Sequence, residues 1–502
     1  MRADYANRRT VHTLAGVTRL NLTIRRCHTP ACAAHKKPYR PEAEGSVALP
    51  RHEFGLDVVA LVGRLRYAEH RSVPEIHTHL VGRGVAISER TVTNLLDRYD
   101  ELLAVVLADD RRLKKILATQ GRVILGIDGL QPDIGHEVLW VIRDCLSGEI
   151  LLARSLLSAR NQDLAALLEQ VKSACPVPVA GIVSDGQHSI RKAVAKTFPG
   201  VPYQLCQFHY LREAATPIYE ADRHAKKELK KKVRTVRGVE RRTEGRTDPE
   251  ADVIRGYCSA VRSARTDDGR PPLEASGLKL HGRLSAIVGS PGRAEGKGGL
   301  PAELQRLNGV LRNALAVAGE AFAPLYLAFG WVHRAAHILG QEGLSGAAMR
   351  NRLGGLLGAM RRHRASVEEL APAVDHFLKV SRSYWPGLFA CYDTPELPRT
   401  NNDLERAFGS HRYHERRATG RKGASPSLVL RGAAKLVAGL ATRHQEVSAA
   451  DLAGADRGAW ERLRAELEVR RDRRVERRRF RQDPNGYLQD LENKLNQSRL
   501  PA

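Results

Sequence analysis

Three carboxylates in this 502-residue sequence have the spacing and surroundings for metal-dependent chemistry. Asp128 follows the apolar run at 122–127, Asp185 follows the apolar run at 181–183, and Glu405 lies in the segment TNNDLERAF. Two ionised carboxylates at the ends of neighbouring strands, about 4.8 Å apart, repel each other and are stabilised by a divalent cation. A third carboxylate completes a two-metal site for phosphoryl transfer, with the ions about 3.5–4 Å apart. We therefore predict that Asp128, Asp185 and Glu405 are catalytic residues that bind Mg²⁺ or Mn²⁺.

Each acid taken alone has a simpler interpretation. A single aspartate after a strand is typical of a turn, and Glu405 near a predicted helix start is favoured there by the helix dipole. Asp144, at the end of the next predicted strand, is a rival for the role of Asp128. Basic side chains close to Glu405 in sequence could hold a phosphate backbone; they are Arg406, His411, Arg412, Arg416 and Arg417.

The elements that must position these acids are predicted from hydrophobic periodicity. Strands are expected at 122–127, 137–143, 150–157, 181–183 and 201–205, and helices at 161–172 and 188–198. The second and third strands are joined by a tight turn and must be antiparallel. The order β-β-β-α-β-α-β is that of an α/β fold with a ribonuclease-H-like mixed sheet, helices lying on its faces.

The remainder of the chain is divided by composition. Residues 213–395 are expected to form a long helical insertion, with the Gly- and Pro-rich stretch 266–300 looping out. We expect six segments: a Cys/His region and linker at 1–50, a DNA-binding domain at 51–118, the first part of the catalytic domain at 121–212, the insertion at 213–395, the last catalytic helices at 396–445 and a basic tail at 446–502. The Arg-rich part of the tail is either a solvated helix with internal ion pairs or a contact for the DNA backbone.

Two patterns near the N-terminus point to DNA and zinc. Cys27, His28, Cys32 and His35 lie within nine residues and could hold structural Zn²⁺, although an exposed loop that contains cysteines is the alternative. Ser72 with Glu75 forms a capping box, and Ser88 caps a second helix after a turn that contains glycine. This is a helix-turn-helix pattern, with a plain helical hairpin as the alternative. The residues expected to face DNA are Arg90, Thr91, Thr93 and Asn94.

Composition limits the partners. The net charge of +25 and the pI near 10.1 predict a polyanionic partner. Seven scattered cysteines do not suggest a disulfide framework, and no apolar signal core opens the chain. We expect no apolar run of the length needed to span a membrane, and we predict a cytoplasmic, nucleoid-associated protein.

The combined motifs resemble the DDE transposases of bacterial insertion sequences. The residues that carry the resemblance are Asp128-Gly129, Ser184-Asp185-Gly186, Cys206-x-x-His209 and Thr400-Asn401-Asn402-x-x-Glu405-Arg406. They are most similar to the Mutator-like group, which has a C/D-x-x-H motif after the second acid. The resemblance covers residues 121–420; the N-terminal Cys/His segment is not universal in that group.

The resemblance implies a catalytic triad of Asp128, Asp185 and Glu405, magnesium or manganese, and cleavage and transfer of transposon ends. It also implies that double-stranded DNA, both transposon ends and target, is the partner and that a homodimer or higher assembly joins two ends. A non-catalytic DNA-binding regulator derived from a transposase and a ribonuclease-H-like nuclease are the alternatives. Cys206 and His209 are either a buried cysteine with a histidine at a helix start or residues with a role near the active site.

Overall fold

The computed structural model of the protein describes residues 1–131, 137–157, 159–294, 299–421 and 426–498. The chain divides into two compact units. The first comprises Met1–Ala180, Lys192–Pro199 and Asp403–Ala502, and the second comprises Gly181–Arg191 and Gly200–Asn402.

The first unit begins with a small antiparallel sheet. Its strands are β1 (Arg2–Thr13), β2 (Gly16–Arg26) and β3 (Pro38–Tyr39), in the order β1-β2-β3. In β2 the buried residues Leu22 and Ile24 alternate with exposed neighbours, which is the period of a strand with one face covered. The sequence analysis did not predict β1.

Five helices follow the small sheet: α1 (Ala43–Val47), α2 (Leu56–Tyr67), α3 (Val73–Gly82), α4 (Glu89–Leu107) and α5 (Asp110–Gln120). A linker was expected within residues 1–50, after the Cys/His segment, but that part of the chain contains β3 and α1. Glu44 of α1 is buried, and its carboxylate pairs with Arg9 at 2.9 Å and with Arg40 at 2.6 Å. Because a buried carboxylate needs such partners, these ion pairs hold the segment against the protein.

A five-stranded mixed sheet contains the next strands: β4 (Val123–Leu130), β5 (Val138–Asp144), β6 (Ile150–Leu156), β7 (Val179–Ser184) and β8 (Tyr203–Leu205). The order is β6-β5-β4-β7-β8, with β4–β5 and β5–β6 antiparallel and β7–β8 parallel. The expected α/β class and the five strands are confirmed. Two helices lie between strands in sequence, α6 (Asn161–Ala174) and α7 (His188–Thr197).

The second unit is mainly helical. Its helices are α8 (Gln207–Ala214), α9 (Thr216–Lys232), α10 (Val236–Arg242), α11 (Pro249–Thr266), α12 (Ser276–Ala294), α13 (Ala302–Gly340), α14 (Gly346–Arg362), α15 (Ala371–Tyr384) and α16 (Ala390–Asp393). They enclose one continuous apolar core, to which α13 contributes residues from Leu304 to Leu339. By length and composition α13 could cross a membrane, so our expectation that the chain holds no such run was wrong. Its apolar residues form the core of this unit instead.

The stretch 266–300, expected to loop out, contains the 19-residue helix α12. The residue that caps the start of α12 lies far away in the sequence. Both carboxylate oxygens of Asp222, on α9, accept hydrogen bonds from the start of α12, from the Gly277 amide at 2.7 Å and the Leu278 amide at 2.8 Å. Asp222 therefore caps α12 across 55 residues, which local sequence patterns do not reveal.

The C-terminal helices belong to the first unit, apart from the first residue of α17. They are α17 (Asn402–Thr419), α18 (Pro426–His444), α19 (Ala449–Ala453), α20 (Arg457–Gln482) and α21 (Pro484–Ser498). The expected basic tail does not begin as a free extension. Trp460, at the start of α20, is buried, and its indole N–H donates to Glu101 of α4 at 2.8 Å. An intrahelical ion pair such as Arg471–Glu468, at 3.7 Å, matches the solvated-helix interpretation of the rest.

Candidate active site and nucleic-acid interface

Asp128 lies inside β4 and not after its end, because the strand continues to Leu130. Its partner across the ladder is Val141 of β5, and Leu130 lies opposite Leu139. Directly paired residues, and residues two apart in one strand, project from the same face of a sheet. Asp128 therefore shares a face with Leu130, Leu139 and Val141, and only 8% of its surface is exposed.

The helix that carries Glu405 covers that same face. Leu404 and Phe408 of α17 are buried in one apolar cluster with Leu130, Leu139 and Val141. Leu404 immediately precedes Glu405, which is half-buried in the first turn of the helix. Within the first unit, Glu405 thus belongs to the element that packs over the Asp128 face. The opposite arrangement, with α17 beyond the far face of the sheet, would have excluded a shared site.

The first turn of α17 is also fixed electrostatically. The carboxylate of Asp403 pairs with the Arg143 guanidinium of β5 at 2.9 Å. Asp403 and Glu405 both lie where the helix dipole favours negative charge. Apolar packing and this ion pair together set the position of the helix start on the sheet.

Asp144, the rival first acid, has a structural role. It is fully buried, and one carboxylate oxygen accepts from the Ile124 amide at 3.0 Å. The other accepts from the Gln120 side chain at 2.9 Å and from the Ser147 amide at 2.8 Å and hydroxyl at 2.6 Å. A carboxylate with both oxygens already engaged by the chain has little capacity left for a metal ion.

Asp185 belongs to the second unit and directly follows β7. Burial raises the pKa of its carboxyl. A hydrogen bond from the Gln187 amide, which lies 3.0 Å from Oδ1, and the positive charges of His209 and Arg191 lower this pKa but do not cancel the effect of burial. The nearby Glu213 adds to the rise in pKa. A desolvated carboxylate beside a second carboxylate is a setting that a divalent cation would relieve.

The wall around Asp185 was not predicted. Tyr384 of α15 donates its hydroxyl hydrogen to Glu213 at 2.8 Å, and the Arg191 guanidinium lies 4.7 Å from the centre of the Tyr384 ring. A Cβ at position 186 would lie 1.9 Å from the Tyr384 oxygen, so only glycine fits there. The glycine after Asp185 was visible in the sequence, but its contact is contributed by a helix nearly 200 residues later.

Cys206 and His209 have separate surroundings in the second unit. Cys206 is fully buried; its amide donates to the Ser184 carbonyl at 2.8 Å, and its sulfur accepts from the Asn401 amide at 3.3 Å. The Gln207 amide donates to the Arg399 carbonyl at 3.0 Å. The motif therefore joins the end of β7 to the segment that leads into α17. His209, one turn later, lies close enough to Asp185 to lower the pKa of that carboxyl.

The second half of α17 separates into two faces. Arg412, Arg416 and Arg417 are exposed, as a phosphate contact requires. The expectation that His411 helps to hold phosphate was wrong, because His411 is fully buried. Its burial follows the helical period, since His411, His414 and Ala418 share the inner face.

Both predicted caps of the DNA-binding helices are present. Ser72 and Glu75 form the capping box of α3, and the Ser88 hydroxyl accepts from the Thr91 amide at 3.2 Å at the start of α4. The side chains proposed to face DNA are Arg90, Thr93 and Asn94, which are exposed, and Thr91, which is half-buried with its hydroxyl 2.9 Å from the Ser88 hydroxyl. These helices are not separate from the rest of the first unit, since the Tyr99 hydroxyl of α4 lies 2.6 Å from the Thr442 hydroxyl of α18.

The segment expected to bind zinc forms a closed loop. Cys27 and His35 make a backbone bridge, and the Lys36 amide donates to the Cys27 carbonyl at 2.9 Å. Hydrogen bonds from Thr29 and Cys32 lower the pKa of the Cys27 thiol. His28 is exposed, whereas Cys32 and His35 are half-buried. Within the part of the chain that the structure describes, no three His, Cys, Asp or Glu side chains are already arranged to hold a metal ion.

The sequence matches none of the known family profiles, and no significant relative was found among curated proteins.

Proposed function

We propose that this chain is a DDE-type DNA transposase, which binds the ends of a mobile DNA segment and catalyses their metal-dependent cleavage and strand transfer. The observation that carries the proposal is the position of α17, which packs through Leu404 and Phe408 over the sheet face that bears Asp128. Glu405 and Asp128 therefore share one side of the sheet, as two ligands of a common site must. The resemblance of the surrounding motifs to transposases supplies the reaction type.

The third acid, Asp185, is assigned on the surroundings it has in the second unit. Its carboxyl is desolvated, has a second carboxylate nearby and follows a strand of the five-stranded sheet. Cys206 ties the end of that strand to Asn401, and Asn401 lies four residues before Glu405. Within the second unit, these hydrogen bonds link Ser184, the residue before Asp185, to Asn401, the residue before α17.

The three side chains offer only carboxylate oxygens, the ligands that Mg²⁺ and Mn²⁺ prefer. Asp128, Asp185 and Glu405 would hold the metal, which when bound supplies charge stabilisation for phosphoryl transfer. Asp403 with Arg143 holds the Glu405 helix in place, and His209 favours the ionised form of Asp185. The exposed Arg412, Arg416 and Arg417 would bind the phosphate backbone.

The other assignments follow from the same proposal. The α3–α4 pair, with Arg90, Thr91, Thr93 and Asn94, would bind duplex DNA. Joining two ends would use a homodimer or a larger assembly, and the protein would act in the cytoplasm on the nucleoid. Structural zinc held by Cys27, Cys32 and either His28 or His35 stays a prediction, which metal analysis of the purified protein tests.

Cleavage of a supercoiled plasmid that carries the DNA flanking the coding sequence tests the function. With Mg²⁺, the full chain is expected to nick or cut this plasmid at the flanking sequences. Asp128→Asn, Asp185→Asn and Glu405→Gln should each lower the rate by orders of magnitude while DNA affinity persists. Asp144→Asn is the control: it should lower stability but keep activity per folded molecule.

Each contrary result has a defined meaning. A Glu405→Gln protein that cuts at the normal rate would refute the triad. Full-chain protein that binds the flanking DNA but never cuts it, with either metal, would instead indicate a non-catalytic regulator. Preferential hydrolysis of an RNA–DNA hybrid would indicate a nuclease of the ribonuclease H type.

A further inference from the structure

The β1–β2 hairpin has one face that is exposed along most of its length. Four cross-strand pairs form this outer face: Ala3 with Arg25, Ala6 with Thr23, Arg8 with Asn21, and Thr10 with Arg19. The face therefore presents three arginines, one asparagine, two threonines and two alanines. These four pairs include no carboxylate and no large apolar side chain; next to the turn the face continues with the half-buried His12 and the exposed Val17.

The opposite face of the hairpin holds it on the first unit. Val11, Leu22 and Ile24 are buried there. The Arg9 guanidinium pairs with Glu44 at 2.9 Å and donates to the His52 carbonyl at 2.7 Å. A strand pair with one face anchored and the other polar and exposed is a stable platform for a ligand.

We propose that the outer face of β1–β2 enters the major groove of duplex DNA and contacts base edges there. This inference rests on the proposed DNA-binding function and adds to it a second reading element besides α3–α4. A two-stranded β-ribbon fits the B-form major groove, which is about 12 Å wide, because its strands are about 4.8 Å apart. From Arg19 to Arg25 the exposed residues span about 20 Å at about 3.3 Å per residue, which is long enough to follow the groove across several base pairs.

The side chains on this face are those that read DNA. Arginine pairs with guanine, asparagine with adenine, and threonine contacts the thymine methyl group or a base edge. None of Arg8, Arg19 and Arg25 forms an ion pair with a carboxylate in the described ranges, so their charge is available to phosphates or bases. A protein partner is less suited to the face, since interface hot spots need large buried aromatic or aliphatic anchors.

The neighbour of Arg25 provides a matched control. Arg26 is on the same strand but projects to the other side, where its guanidinium pairs with Asp4 at 2.8 Å and lies 6.0 Å from the Tyr5 ring centre. Arg25 and Arg26 carry the same charge at adjacent positions of β2. The structure separates them, so Arg25→Ala and Arg26→Ala remove the same charge from opposite faces.

Fluorescence anisotropy with the full chain and a labelled duplex of the flanking DNA tests the proposal, at several salt concentrations. Arg8→Ala, Arg19→Ala and Arg25→Ala should each weaken binding and reduce the salt slope by about 1, as for one lost phosphate contact. Asn21→Ala should reduce the preference for the flanking DNA over a scrambled duplex by about tenfold. Arg26→Ala should leave affinity, slope and preference unchanged, and thermal melting confirms that each variant is folded.

The outcomes separate the ribbon from the wider function. An R8A/R19A/R25A protein that binds with the wild-type affinity and slope would overturn the ribbon proposal while DNA binding stands. Equal competition by double-stranded RNA would also overturn it, because the deep, narrow major groove of RNA does not admit a ribbon. Wild-type protein that binds no DNA would instead remove the proposed function itself.

Discussion

The Asn401 backbone amide donates a hydrogen bond to the sulfur of Cys206, with 3.3 Å between nitrogen and sulfur. The two residues are 195 positions apart, and the whole helical insertion lies between them in sequence. Cys206 also donates its own amide hydrogen to Ser184, the residue before Asp185. We therefore expect the cysteine of the Cys-x-x-His motif to act as a positioning residue for the segment that leaves the insertion and leads into α17.

Cys206→Ala should destabilise the second unit more than a comparable change elsewhere. The substitution removes the sulfur that accepts a hydrogen bond from the buried Asn401 amide, and loss of a buried hydrogen bond typically costs about 1–3 kcal/mol. Cys258→Ala is the matched control, because Cys258 is equally buried but lies in the apolar core of the insertion. Urea denaturation of both variants measures the difference, and Cys206→Ser, which restores an acceptor, should recover part of the loss.

The same variants bear on the proposed reaction. Cys206→Ala should slow cleavage while leaving DNA affinity near the wild-type value, because the start of α17 is less firmly held. Equal stability and equal cleavage rates for the Cys206→Ala and Cys258→Ala proteins would contradict a positioning role.

The sheet was predictable because its signals are local. The apolar runs that contain Ile127 and Val183 and the turn after Asp144 follow from periodicity and turn chemistry within a few residues. The capping residues Ser72 and Ser88 were equally readable, since a cap and the amide that it satisfies are three residues apart. Strand ends were less predictable, as Asp128 shows: its strand extends two residues beyond it.

The features that were missed depend on distant partners. The α12 helix is capped by Asp222, and the space beside Gly186 is filled by Tyr384 from another helix. In the sequence His411 is a basic residue near Glu405, but in the structure it lies on the buried face of α17. Such features are set by tertiary contacts, which no window of sequence contains.

The acidic limit of the proposed activity should depend on Glu213 and His209. Because burial raises the pKa of Asp185, the folded protein binds a proton at this carboxyl more tightly than the unfolded chain does. The contribution of the protonated carboxyl to folding stability is therefore lost as pH rises through the raised pKa. A proton on Asp185 competes with a metal ion. The acidic limb of the cleavage profile should therefore lie at a higher pH than an ordinary aspartate would give.

Two substitutions should move that limb in opposite directions. Glu213→Gln removes a negative charge that raises the pKa of Asp185, so the limb should shift to lower pH. His209→Gln removes an influence that lowers this pKa, so the limb should shift to higher pH. Cleavage rate and calorimetric Mg²⁺ affinity, each measured against pH, provide two readouts. Shifts in the same direction for both variants would show that Asp185 does not set the limb.

Acidification should weaken the first unit through two buried histidines of α17. Burial, with the nearby positive charge of Lys435, lowers the pKa of His411 to about 3, and burial with Arg66 lowers that of His414 to about 2. Glu415 acts in the opposite sense but does not compensate. His414 also lies 2.8 Å from His70, between the two Nδ1 atoms, so protonation of both rings would place hydrogens on each side of that contact.

The direction of the pH dependence follows from these lowered pKa values. The unfolded chain takes up protons near pH 6.5, whereas the folded protein does not until far lower pH. The stability contributed by each neutral histidine is therefore complete above pH 6.5 and is lost as pH falls towards about 3. At pH 5.5, one unit below the ordinary value, the loss should be about 1.4 kcal/mol per histidine.

Urea denaturation at pH values from about 7.5 to about 5.5 measures the free energy of unfolding, which should fall by roughly 1.4 kcal/mol per histidine across this range. His411→Gln and His414→Gln should each flatten the decline in unfolding free energy, whatever their effect at neutral pH, because glutamine does not titrate. The buried Tyr67 packs against α17, and its ring centre lies 5.1 Å from that of His414. Loosening of α17 at low pH should therefore also expose Tyr67. A decline as steep in both α17 variants as in the wild-type protein would show that these histidines are not the groups that titrate.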